Sequence, residues 1–162
     1  VLLLNLPPNK EGKLAEADIK SLRGFRQLYD ATFTENLLSN AKITCKVSEG
    51  KPRNIIDNNY DTSVLPNMKT GEAVFLFKLK QPATFNVLSV QEDIRKGQRV
   101  EAFTLEVKDA HGKWQKATEG TTIGHKRLLK FPLQTAKEVR LTIQQVRAVP
   151  AIAEIGLYHL KE

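Results

Sequence analysis

The sequence predicts a mainly β fold: an antiparallel β-sandwich of the jelly-roll type, preceded by a short strand and one amphipathic helix. From Ala41 onward the apolar residues recur with a period of two, the spacing of a half-buried strand. The alternating stretches are short and divided by Gly, Pro, Asn and Asp, which is the punctuation of antiparallel turns. Only residues 1 to about 33 carry a different, helical period.

Val1 to Leu4, with Leu6, form an apolar run ended by Pro7 and Pro8, which predicts a strand and then a turn through Asn9-Lys10-Glu11-Gly12. Ile19, Leu22, Phe25, Leu28, Tyr29 and Phe33 follow at three- and four-residue spacing, with Asp18, Lys20, Arg23, Arg26 and Asp30 between them. That is an amphipathic helix whose apolar face must pack against a neighbouring molecule or fold onto the sandwich. Ala41, Ile43, Cys45 and Val47 then alternate with polar residues and predict a strand, with Cys45 pointing inward as a buried apolar residue. Further strands are expected at 73–79, 85–91, 100–108, 114–117, 127–131, 139–146 and 152–160, about eight in all. Trp114 starts one of them and reads as a core anchor.

The 162 residues suit one domain with an appendage. Hydrophobic residues at 41% against 27% charged give the balance of a globular protein with a real core. The longest apolar run is far too short for a spanning helix. Cys45 is the sole cysteine, which excludes an intrachain disulfide framework and a Cys-based zinc site. Lys and Arg number 25 against 18 Asp and Glu, a net charge of +7. The excess is scattered, and its two local clusters, Arg95-Lys96 with Arg99 and His125-Lys126-Arg127, are not interleaved with aromatics. Neither a nucleic-acid nor a membrane partner is expected. The chain opens at Val1 on strand-like residues, so it is expected to be a piece of a longer protein.

Several stretches carry a resemblance. Leu2-Leu3-Leu4-Asn5-Leu6-Pro7-Pro8, Gly12 and Glu16-Ala17-Asp18 leading to Leu22 resemble the last strand and helix of the catalytic barrel of the family 29 α-L-fucosidases. Ser89-Val90-Gln91-Glu92-Asp93-Ile94, Gly97-Gln98-Arg99-Val100, Trp114 and Gly120-Thr121-Thr122-Ile123-Gly124-His125-Lys126-Arg127 are similar to the C-terminal domain of bacterial and plant enzymes of that group. That domain belongs to the discoidin, or factor V/VIII type C, class of galactose-binding-like jelly rolls, which also holds the family 32 carbohydrate-binding modules. The resemblance implies a barrel remnant over residues 1–34 and a discoidin-like sandwich over residues 35–162, in a periplasmic or secreted parent that hydrolyses terminal α-L-fucose. The parent's nucleophile and acid/base would lie upstream, leaving this fragment inactive by itself. Its partners would be the parent's barrel and a fucosylated or galactosylated glycan. The alternative is a stand-alone discoidin-type module for a glycan, protein or phospholipid.

Asp57-Asn58-Asn59-Tyr60-Asp61-Thr62 is rich in oxygen-bearing side chains, the chemistry a hard cation needs. An EF-hand is excluded, because its glycine position is Thr62 and its terminal glutamate position is Met68. The resemblance to the discoidin class implies structural Ca2+ held by Asp57, Asn59, Thr62 and Glu154, with Asn58 in place of the usual glycine. An Asx-rich turn closed by hydrogen bonds alone is the competing reading. Tyr60, Glu92, Arg99, His125 and Arg127 are the candidate carbohydrate-binding residues, planar polar groups at strand ends with Tyr60 the loop aromatic. The same charges could instead pair, Glu92 with Arg99 or Arg127, and dock the domain on its barrel.

Overall fold

The computed structural model describes residues 5–161. The chain folds as two compact units, one reaching to Thr34 and the other starting at Glu35. Val1 to Leu4 of the expected opening strand lie outside the described residues, while Asn5 and Leu6 have no regular structure.

In the first unit, α1 spans Glu16–Phe33. Glu16 and Asp18 place negative charge in its first turn, where the helix dipole favours it. Arg26 and Asp30 pair at 2.7 Å one turn apart, and Tyr29 stacks on Phe33 at 5.0 Å between ring centroids. Along the apolar stripe that the period predicts, Phe25, Leu28 and Tyr29 are 50%, 49% and 44% exposed, while Ile19, Leu22 and Phe33 are half-buried.

The second unit is the β-sandwich, built from β1 (Lys42–Thr44), β2 (Val47–Glu49), β3 (Leu65–Pro66), β4 (Ala73–Glu92), β5 (Val100–Lys108), β6 (Trp114–Gly120), β7 (Arg127–Val146) and β8 (Ile152–Tyr158). All pairings are antiparallel: β1-β4-β7-β5-β6 form one sheet with β8 added to β4, and β2 pairs β3 separately. Two expectations change. The strand predicted over 41–47 breaks into β1 and β2, which lie in different sheets. The pairs of strands predicted at 73–79 and 85–91, and at 127–131 and 139–146, are each one continuous 20-residue strand. Period-two reading cannot see this, because irregularities between Lys78 and Ala83 and between Phe85 and Val87 interrupt the alternation without ending the ladder.

Those irregularities let one strand serve two parts of the fold. The first half of β4 lies between β1 and β7, the second half between β7 and β8. Rows of opposed apolar residues cross the sheet, Phe75 on Leu141 on Leu105 and Phe77 on Val139 on Val107, and all six are buried. Leu88, Val90, Ile155 and Leu157 from the other half join the same cluster, so the sheet curls over one core.

Trp114 is half-buried and outside that cluster, contrary to its reading as a core anchor. It pairs with Lys108 on the polar face, with the Arg140 guanidinium 4.5 Å from its ring centre and Glu106 2.6 Å from Arg140. A strand's first residue can take either face, and here the cation–π partner fixes it. Cys45 is half-buried against the core, and burial pushes its thiol pKa up. Among the described residues no helix is long and apolar enough to cross a membrane.

Candidate functional site

Five segments converge at one end of the sandwich: the 57–62 loop, the end of β4, the turn Ile94–Lys96, the 120–127 loop and the start of β8. Glu92 is their brace. It is 2% exposed, and its carboxylate accepts backbone N–H bonds from Arg99 at 2.7 Å, Val100 at 3.1 Å and Gly124 at 2.9 Å. Its own backbone N–H donates to the Gly124 carbonyl at 2.9 Å. A buried carboxylate is tolerable when it collects several donors. Glu92 therefore shapes the floor of the site and pairs with backbone N–H groups, and not with the Arg99 or Arg127 side chains as the alternative reading had it.

Asp93 and Arg95 form the second brace. Asp93 caps the following turn by accepting from the Arg95 backbone N–H. Its carboxylate accepts from Arg95 Nε at 2.7 Å and Nη2 at 3.1 Å. The same guanidinium reaches across to the Asp61 carboxylate at 2.9 Å and the Asp61 carbonyl at 3.1 Å. The Arg95 guanidinium holds the Asp93 carboxyl below its ordinary pKa. One planar fork thus ties the 57–62 loop to the end of β4.

Between these braces lies a shallow cavity of about 220 Å3, lined by Tyr60, Asp61, Gln91, Arg95 and His125 above Glu92 and Asp93. Tyr60 is 54% exposed and Ile94 51%. Of the five sequence-derived carbohydrate candidates, the structure brings Tyr60, Glu92 and His125 together here. The other two are occupied elsewhere: Arg99 Nη1 donates to the Val149 carbonyl at 2.6 Å and Arg127 Nη1 to the Thr122 carbonyl at 3.3 Å. Sequence reasoning missed Arg95 and Asp93. Arg95 registered only as part of a basic cluster, and its role depends on Asp61, 34 residues earlier in the chain.

The four candidate metal ligands are linked by hydrogen bonds, with Asn59 joining through its backbone N–H while its side-chain Oδ1 accepts from the Asp61 N–H at 3.1 Å. Asp57 Oδ1 accepts from the Asn59 backbone N–H at 2.9 Å and Oδ2 from the Thr62 hydroxyl at 2.9 Å, while Glu154 on β8 accepts from the same Asn59 N–H at 3.2 Å. Asn58 takes φ 58°, the left-handed turn that Asn adopts at low cost. Burial, and then the neighbouring Asp57 carboxylate, push the Glu154 carboxyl up to about 7. Two carboxyl groups this close disfavour joint ionisation, and a divalent cation between them would relieve it. The donors are all oxygen, which suits calcium better than a softer metal. Among the described residues no three His, Cys, Asp or Glu are placed to hold a metal ion together, so amide, hydroxyl or carbonyl oxygens would have to complete any shell at Asp57 and Glu154.

Comparison with known proteins fits this architecture. No family model matches the chain. It is 34% identical over 166 residues to α-L-fucosidase 1 of Arabidopsis thaliana, covering 98% of this chain and 33% of that protein. Among solved structures, a Ruminococcus gnavus fucosidase of glycoside hydrolase family 29 in complex with fucose superposes with TM-score 0.86 at 32% identity, over 99% of this chain and 34% of that one. A chitosan-binding module from a Paenibacillus chitosanase/glucanase shares the fold, with TM-score 0.66 at 18% identity, over 76% of this chain and 97% of the module. The chain is thus homologous to α-L-fucosidases and spans about a third of the length of the relatives it matches.

Proposed function

We propose that this chain, whose relatives are α-L-fucosidases, is the accessory C-terminal part of such an enzyme and binds carbohydrate at the Tyr60–His125 cavity. The parent's catalytic barrel would hydrolyse terminal α-L-fucose from glycoconjugates, in the periplasm or outside the cell. The observation that carries the reading is the braced cavity. Sugar hydroxyls need planar polar partners on a rigid frame and an apolar face to stack on. Gln91, Asp61 and His125 are the polar partners, Tyr60 and Ile94 are exposed beside them, and Arg95 and Glu92 hold the loops so that little ordering is left to binding. Calcium at Asp57, Asn59, Thr62 and Glu154 would fasten the far side of the 57–62 loop. Bound there, the ion supplies charge compensation to Asp57 and Glu154 and takes no part in hydrolysis.

The test is an NMR titration of the chain with fucosylated and galactosylated oligosaccharides, with and without calcium. Shifts at Tyr60, Gln91 and His125 are expected, tighter with calcium. Absence of shifts at millimolar sugar would overturn the binding role and leave the domain as a buttress for the barrel.

A further inference from the structure

Away from the loop end, another cavity opens where the chain passes from one sheet to the other. β1 pairs with β4 from Lys42 opposite Lys78 to Thr44 opposite Leu76 and stops there, while β4 already begins at Ala73. Cys45 and Lys46 instead carry the chain across to β2, which pairs with β3. The start of β4 is therefore left without a neighbour on this side. The departure makes a cavity of about 280 Å3, against about 220 Å3 at Tyr60, close to the lower end of the roughly 300–1,000 Å3 of small-ligand sites. Val74 and Leu76 line it from β4. Two positions apart on one strand, they share the face opposite to the buried Phe75 and Phe77. Val74 is 39% exposed and Leu76 half-buried.

The two sides of the cavity are tied together. The Asn67 backbone N–H donates to the Lys46 carbonyl at 2.9 Å. Asn67 Oδ1 accepts from the Lys69 N–H at 3.0 Å, and the Gly71 N–H closes the same loop on the Met68 carbonyl at 2.9 Å. Thr44 and Lys46 thus line one side, and Asn67, Thr70 and Glu72 the other. Among the described residues neither the Lys46 ammonium nor the Glu72 carboxylate has an ion-pair partner. The rim therefore offers donors and acceptors of both signs around an apolar floor. A further cavity of about 240 Å3 continues along β1, sharing Thr44 and Leu76 with the first. It ends at Lys42 and at Lys78, which pairs with Glu138 at 3.3 Å.

We infer that this trough along β1, from Glu72 to Lys42, seats a neutral oligosaccharide of at least two rings. Sugar hydroxyls both donate and accept, and Lys46, Glu72, Asn67 and Thr44 supply the complementary groups. The C–H face of a ring lies on Val74 and Leu76. Opposite charges on the rim of the first cavity favour neither an anion nor a cation. Two cavities sharing Thr44 and Leu76 give room for more than one ring. The inference rests on the proposed carbohydrate role for the class of ligand, and on the trough's own lining for its place and neutrality.

Cys45 is the sole cysteine of the chain and lines the first cavity, so alkylation of its thiol reports on occupancy. The experiment follows iodoacetamide labelling by mass spectrometry, and heteronuclear NMR shifts, for the 162-residue chain with galactose, lactose and fucosyllactose. Expected are shifts at Thr44, Asn67, Thr70 and Val74 with one or both oligosaccharides, about tenfold weaker with galactose. Labelling of Cys45 should slow in proportion to saturation. Lys46→Ala/Glu72→Ala removes two exposed side chains and should lower the affinity about tenfold, with a spectrum unchanged outside the trough to show that the variant folds. Silence at these four residues with both oligosaccharides, or galactose binding as tightly as lactose, would overturn the inference. So would shifts without protection of Cys45, or an unchanged affinity in the double variant. Because the proposed function is read at Tyr60, Gln91 and His125, either site can fail without the other.

Discussion

The sharpest prediction concerns Glu154→Gln. Glu154 is 7% exposed and its carboxyl is raised from 4.5 to about 7 by burial and by Asp57. The gap is roughly 2.5 units, and at about 1.36 kcal/mol per unit it amounts to about 3 kcal/mol. The folded chain holds this proton more tightly than the unfolded chain does. The group's contribution to stability is therefore fully present below about pH 4.5, is lost as pH rises through the window to about 7, and changes no further above it. Glutamine keeps an acceptor for the Asn59 N–H and a donor toward Asp57 but carries no charge to desolvate. Urea unfolding of both proteins in EDTA should give a wild-type-minus-variant stability difference that falls as pH rises. By about pH 8 it should favour the variant by up to 3 kcal/mol. The subtraction removes titrations elsewhere that the two proteins share. Calcium added at the higher pH should stabilise the wild type and leave Glu154→Gln unmoved. A difference independent of pH between about 4.5 and 8 would refute the reasoning about Glu154.

Three further outcomes follow from the same geometry. Glu92→Ala leaves the N–H groups of Arg99, Val100 and Gly124 without their shared acceptor and should cost about 3 kcal/mol in urea unfolding at neutral pH; a cost under about 1 kcal/mol would mean that water replaces the brace. Tyr60→Ala, at a side chain 54% exposed, should leave the melting temperature within about 2 °C of wild type while lowering sugar affinity at the loop cavity about tenfold by calorimetry. Gly50→Ala should cost about 2 kcal/mol or more in thermal unfolding, because Gly50 has φ +85° and a Cβ there would lie 2.5 Å from the Ser63 carbonyl oxygen.

What the sequence disclosed depended on whether a residue's environment is set by its neighbours in the chain. The helix over Glu16–Phe33 and the strand Val100–Lys108 are legible because their period is unbroken and their ends carry turn residues. The same period failed at β4 and β7. There the alternation lapses at Gln81-Pro82 and at Pro132-Leu133, and a reader of single strands must cut. Only the register shows that both strands run on. The cut at Pro132 is where a flat ladder would fail, and the continuous strand tolerates it by bulging opposite Asn86.

The site was legible in the same uneven way. Asp57, Asn59 and Thr62 interact within six residues, so their oxygen-rich spacing exposed the loop's chemistry, and Asn58 marked its left-handed turn. Glu92, Arg99 and Arg127 share with Tyr60 and His125 only their polar character in the sequence. Burial divides them: Glu92 goes inward to backbone donors, and the two arginines go to carbonyls beyond the cavity. Arg95 joins the site through a loop more than thirty residues away, and no local pattern distinguishes it from Lys96 or Arg53. A guanidinium shared between two carboxylates is defined here by two distant chain segments meeting, so it can be recognised only after folding has brought them together. If that fork fixes the cavity, Arg95→Lys should weaken sugar binding although the charge is kept, since an ammonium cannot hold Asp61 and Asp93 in one plane. Equal affinity in that variant would show that charge alone positions the loop.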